Sequence, residues 1–166
     1  MLLRIAQPIL LSIAVLVIII LPHSAPIRSS NQLEAEMLAV NSLRVYINQT
    51  FVTQAIEQTI YYNYPDQQVL EIVTNEFSLR FILNAKDLQK GLYAMEQFNG
   101  NVATIHFKNG CYATTDHYFS AILNLEEINF NEIQGSFTMM AHAETCDSMY
   151  TLQKGEFKST FKRVVN

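Results

Sequence analysis

Residues 31–64 read NQLEAEMLAVNSLRVYINQTFVTQAIEQTIYYNY, and the period assigned to them decides the fold. Asn31 stands three positions before Glu34, in the pattern of a capping box. Glu34 and Glu36 fall in what would be the first turn, where the helix dipole favours acids. Apolar residues then recur at Leu33, Met37, Val40, Leu43, Ile47, Phe51 and Ala55, in steps of three or four. That spacing predicts one stripe of a long amphipathic helix, ending before Tyr64-Pro65 because proline cannot continue it. The β-branched residues between Val45 and Thr53 oppose a helix locally, and Asn48 is where such a helix would break.

From Val69 onward the period is two. Val69–Val73 and Phe77–Leu83 flank Thr74-Asn75-Glu76 and read as a hairpin. Residues 84–100 read as a polar connection with one helical turn around Asp87–Lys90. Val102–Lys108 and Cys111–Thr115 are joined by Asn109-Gly110, the strongest short hairpin signal in the chain. Tyr118–Leu125 and a weaker Ile128–Phe130 follow, and Ile133–Ala143 alternates most cleanly. A last strand starts at Met149, with its inward parity switching between Leu152 and Phe157, so Gly155 marks a bulge or tight turn. The expected fold class is α+β. One long amphipathic helix packs on a curved, mainly antiparallel sheet of about seven strands, whose other face is wetter.

Ahead of this lies an apolar run, Ile9–Leu21 (ILLSIAVLVIIIL), with one hydroxyl and no charge. Extended back to Leu2 it would measure ~30 Å as a helix, the thickness of a bilayer core. A signal peptidase site wants small residues at −3 and −1, whereas His23-Ser24-Ala25 offers histidine at −3 and is followed by Pro26. An uncleaved anchor helix is therefore preferred over a cleaved signal, and Arg4 favours a cytoplasmic N-terminus. The expected organisation is an anchor and spacer over 1–28 and a single exported domain over 29–166. The domain sits outside the cytoplasm on a single-pass anchor, or is secreted or periplasmic if the signal is cut.

Ten Phe, eight Tyr and 49% apolar residues suffice for one core. Of eleven Lys/Arg, Arg4 and Arg28 precede Ser29, leaving nine against fifteen Asp/Glu, a balance of −6 for the domain. Such a surface repels phosphate backbones, so nucleic acid is not an expected partner. The two cysteines, Cys111 and Cys146, both fall in the exported part, and an even pair in an oxidising compartment is most simply one disulfide. It would be worth on the order of 3–4 kcal/mol in the chain-entropy model.

No G-x-S-x-G or cysteine-protease signature occurs, and no Ser or Cys is arranged with His and an acid as in a triad. The sharpest cluster is CYATTDH at 111–117 with HAETC at 142–146. Cys111, His117, His142 and Cys146 are zinc-ligand types, with Asp116 and Glu144 as possible acceptors behind them. Cys-x5-His and His-x3-Cys lack the short Cys-x2–4-Cys knuckle of a structural zinc site, so the disulfide is preferred. His106 and His142 read as surface residues. Glu126-Glu127 point apart on an extended chain, unlike a glycosidase pair. Lys154, Lys158, Lys162 and Arg163 read as edge-strand protection, or as a basic patch for anionic lipid. Asn48-Gln49-Thr50 fits the glycosylation sequon but sits mid-helix in this reading.

The outline of anchor, amphipathic helix, antiparallel sheet and late cysteine pair is similar to that of type IV pilins. No glycine precedes Gly91 and no acid lies within the apolar run, so the pilin motif is missing and no family is assigned. The residues give no catalytic, cofactor or metal site. They point to a non-enzymatic envelope protein that binds the membrane through its N-terminal helix and another protein through its domain. The alternative is a carrier whose aromatic and methionine lining holds a small apolar ligand.

Overall fold

The computed structural model describes residues 38–96, 99–115, 119–143 and 145–165. The apolar run at 2–21 and its spacer lie outside them. Among the described residues no helix is long and apolar enough to cross a membrane. They contain no helix of any kind, and form eleven strands. The expected α+β class is therefore overturned: the domain is all-β, and its sheet closes on itself.

The predicted helix is the main correction. Within its described part, Ser42–Ile47 is strand β1 and Thr50–Asn63 is β2. They pair antiparallel from Ser42↔Ala55 to Ile47↔Thr50, around a turn with positive φ at Asn48 (46°) and Gln49 (72°). Left-handed backbone at both turn residues matches the right-handed twist of the flanking strands, and asparagine tolerates it best after glycine. The β-branched residues of this stretch lie in extended conformation, as their χ1 stiffness favours. The core is thus roofed by sheet all the way round, and no helix lies across it.

β3 (Gln68–Thr74) and β4 (Phe77–Leu83) occupy the stretch read as a hairpin. The connection after them differs from the expected polar loop, because it contains a strand, β5 (Gly91–Met95). β6 (Val102–Phe107) and β7 (Tyr112–Thr114) flank the Asn109-Gly110 turn. β8 (Ala121–Ile128), β9 (Glu132–Ala143), β10 (Ser148–Thr160) and the short β11 (Lys162–Val165) complete the chain.

The pairing order β10-β1-β2-β3-β4-β6-β7-β9 returns to β10 through the β9–β10 ladder, giving a closed eight-stranded barrel. β8 continues along the edge of β9 that β7 begins, and β5 pairs with β8. β5 and β6 therefore behave as one interrupted strand, with β7 and β8 as its interrupted partner. Continued without a break, the β6–β7 register would set Met95 opposite Leu123; Met95 pairs with Ala121 instead, a slip of two residues. An even slip keeps side-chain parity, so Met95, Ala103, Ile105, Ala113, Leu123 and Leu125 all stay buried. With that hairpin counted once, successive strands are neighbours throughout and the barrel is a simple meander. Register shifts at Ile56/Gln58 in β2 and at Leu152/Gly155 in β10 bend the wall, as barrel closure requires.

The interior is a packed core. Phe81 meets Phe137 edge-on at 5.8 Å, and Phe137 lies 6.4 Å from Phe157. The rings fit because two glycines face them across the β9–β10 ladder, Gly155 opposite Phe137 and Gly135 opposite Phe157. A Cβ on Gly155 would sit 2.4 Å from the Phe137 ring, and one on Gly135 2.5 Å from the Asn124 carbonyl oxygen.

Candidate functional site

Two regions carry polar or reactive groups inside this wall, and one region of the outer face departs from the rest of the surface. The turns Asn48-Gln49, Asn75-Glu76, Asn109-Gly110 and 145–147 belong to one end of the barrel, where Asn48 N–H donates to the Thr151 carbonyl and Lys108 N–H to that of Glu76. Here Cys111 and Cys146 are joined in a disulfide, with their Cα atoms 5.9 Å apart. Cys111 is buried at 1% exposure, while Cys146 is exposed. The Tyr150 hydroxyl lies 3.3 Å from Cys111 Sγ, and the Tyr150 ring packs on Phe107 at 4.6 Å.

His142 stacks on Phe119 at 5.8 Å, and Asp116, His117 and Glu144 lie outside the described residues. Among the described residues no group of three His, Cys, Asp or Glu could hold a metal ion. His106 is exposed on β6, edge-on to Tyr112 at 6.1 Å. Glu126 and Glu127 sit at a bulge of β8, with Glu126 accepting from Ser136 Oγ at 3.0 Å and Gln134 Nε2 at 3.3 Å. Lys154 and Lys158 are not on an edge, since β10 is paired on both sides. The sequon Asn48-Gln49-Thr50 lies at an exposed hairpin tip rather than mid-helix, and Asn48 Oδ1 accepts from Thr151 N–H at 2.8 Å.

The opposite end of the barrel is closed by a polar network that the residue types alone did not reveal. Tyr61 donates its hydroxyl proton to Gln68 Oε1, and Gln68 Nε2 donates to the Lys86 carbonyl at 2.8 Å and to that of Tyr64 at 3.3 Å. The 84–90 connection is thereby tied across the barrel end, and Leu88 packs against the core. Gln68 is fully buried and Tyr61 nearly so, at 2%. Burial pushes the Tyr61 hydroxyl above its ordinary pKa, opposed in part by the Leu88 backbone N–H and by Arg163, whose guanidinium lies 5.3 Å from the ring centroid. These groups satisfy one another, and their arrangement is structural.

The outer face formed by β5, β8, β9 and the start of β10 differs from the rest. Leu92 is 74% exposed, Ile122 49%, Met140 41% and Met149 51%. They lie on neighbouring strands: Leu92 pairs with Asn124, Ile122 with Ala94 and Thr138, and Met149 with His142. Leu92 and Ala94 on β5, Ile122 and Asn124 on β8, 134–142 on β9 and 149–153 on β10 include no Asp, Glu, Lys or Arg. The edge of β5 away from β8 has no strand partner among the described residues, and only the Ala94 carbonyl is covered there, by the Asn99 and Asn101 amides at 2.6 and 2.8 Å. A charge-poor apolar strip, bordered by the Glu126 carboxylate at Gln134 and Ser136, on a domain with a balance of −6 is the surface feature with most bearing on function. Comparison with protein-family models, curated proteins and solved structures finds no match for the chain.

Proposed function

We propose that the chain is a non-enzymatic envelope protein, tethered to a membrane through residues 2–21, whose barrel binds another protein outside the cytoplasm through the β5–β8–β9 face. The observation that carries this reading is the charge-poor strip with exposed Leu92, Ile122, Met140 and Met149, bordered by Glu126. Contiguous exposed apolar side chains on a soluble domain mark interaction surfaces more often than chance, and depletion of charge is the compositional mark of an interface centre. A photo-crosslinker at Leu92 or Ile122 in intact membranes should capture one discrete partner, while the same group at Arg80, exposed on β4, should not. Equal capture at both places, or none, would end the reading. The tether has its own test: the protein should stay in the membrane fraction after a carbonate wash and keep its Met1 end by intact mass, and loss of about 25 residues would show a cleaved signal instead.

A second reading, a carrier of a small apolar ligand, is favoured by the closed eight-stranded barrel, a size that can hold one small molecule. The interlocked rings of Phe81, Phe137 and Phe157 weigh against it, because they fill the middle of the interior. Native mass spectrometry of protein purified from its own source decides: a bound lipid-sized mass supports the carrier, and an unliganded chain removes it.

A further inference from the structure

The barrel wall is not equally strong all round. On one flank β9 is held by β10 along its whole length, from Ser148↔Ala143 to Thr160↔Glu132. On the other, among the described residues, β8 covers β9 as far as Ala121↔Met139, and beyond that β7 contributes a single registered pair, Thr114↔His142. Among the described residues the seam is also crossed by the Met140 N–H to Ser120 carbonyl bond, a 3.4 Å bond from Tyr112 N–H to Thr145 Oγ1 and the Phe119–His142 stack, and its covalent link is the disulfide. It joins the turn after β6 to the turn after β9, where backbone pairing among the described residues is sparsest.

The two sulfurs are unequal. Cys146 lies on an exposed turn, open to a thiol from solvent, whereas Cys111 faces the interior with the Tyr150 hydroxyl 3.3 Å away. In thiol–disulfide exchange the accessible sulfur is attacked and the other departs as a thiolate, faster the better that thiolate is stabilised. A phenol positioned beside Cys111 Sγ can donate to it as it leaves.

We propose that Cys111–Cys146 is a reducible latch, opened through Cys146 by a dithiol reductant, whose release frees the β6–β7 hairpin from β9 and opens that end of the barrel. One thiolate of the reductant bonds to Cys146 Sγ as the bond to Cys111 breaks, and Cys111 takes up a proton. The second reductant thiol then displaces Cys146, so the dithiol becomes a disulfide and the protein gains two thiols, two electrons and two protons in balance. The opened seam uncovers the ring series Phe77–Phe107–Tyr150, packed edge-on at 6.0 Å and tilted at 4.6 Å.

The test uses the full-length oxidised chain under native conditions. Brief exposure to glutathione, followed by acid quench and peptide mapping, should place the mixed disulfide on Cys146. An adduct on Cys111, or resistance to reduction until the chain is unfolded, overturns the proposal. Hydrogen exchange of the reduced chain should rise by ~10-fold or more at amides of 103–114 and 140–146, with β2, β3 and β4 unchanged. Unaltered exchange, or a uniform rise across the whole barrel, shows a plain structural crosslink and overturns the latch. Tyr150→Phe should slow reduction several-fold while leaving exchange in the oxidised chain as it was, and an unchanged rate removes the leaving-group role of the hydroxyl.

Discussion

Gly155 and Gly135 face aromatic rings across the same ladder, yet they differ in what confines them. The nearest atoms to a methyl on Gly155 belong to the Phe137 ring, at 2.4–2.6 Å, and a ring can turn or be trimmed. A methyl on Gly135 meets the Asn124 carbonyl oxygen at 2.5 Å, which belongs to the sheet and cannot yield. Gly155→Ala should therefore cost about 1–3 kcal/mol in urea unfolding and be largely relieved by adding Phe137→Leu, whereas Gly135→Ala should gain nothing from Phe157→Leu. Equal rescue in both pairs would show that the rings, not the backbone, set both limits. Tyr61 supplies a second prediction at this scale. Its folded pKa is raised by burial, so its contribution to stability is complete below the unfolded value of about 10 and is lost as pH rises through the folded one. Tyr61→Phe should cost about 1–2 kcal/mol at pH 7 by leaving Gln68 Oε1 without its donor, and should flatten the loss of stability above pH 10. An identical alkaline decline in the variant would assign that decline to other groups.

The hairpin of β1 and β2 carries a helical spacing without forming a helix. Leu43, Ile47, Phe51 and Ala55 are each four apart, and a step of four fits both a helical turn and an even number of strand positions. The information that separates the two periods sits at Asn48-Gln49, whose positive φ values no helix interior accepts, and in the β-branched residues around them. β9 was legible because its alternation runs unbroken from Ile133 to Ala143. β5 was not, because five residues with only Met95 fully buried show no alternation to read. The Asn48 turn can be tested directly. Asn48→Gly keeps the left-handed backbone but loses the amide bonds to Thr151 and Met149, while Asn48→Ala loses both. Stability should fall in the order Asn, Gly, Ala, with alanine costing about 1–2 kcal/mol. Equal losses for glycine and alanine would assign the whole effect to the amide.

At the scale of the molecule, closure was beyond the reach of any local pattern. β1 pairs with β10 across most of the domain, as the Arg44–Glu156 ion pair records, with partners 112 positions apart. The same holds for the candidate site. The cysteine pair could be argued from compartment and number, but the apolar strip exists only once β5, β8, β9 and β10 lie side by side, and no stretch of sequence shows it. Truncation separates closure from decoration. Removing 162–166 takes away the short parallel strand β11, so the detergent-solubilised chain should elute from size-exclusion chromatography as the full-length chain does. Removing 144–166 deletes β10 as well and leaves the edges of β1 and β9 open, so the shorter chain should aggregate. A monomeric product from the longer deletion would mean that the barrel does not need its last strand.

The β1–β10 pairing also has a consequence in time. At 5–20 residues per second, a ribosome takes about 6–22 s to travel from Arg44 to Glu156, and through that interval β1 has no partner on its outer edge. Arg44, the one charged side chain on β1, occupies that waiting edge. A charge there discourages pairing with a neighbouring nascent chain, so the group that later meets Glu156 guards the strand before Glu156 has been made.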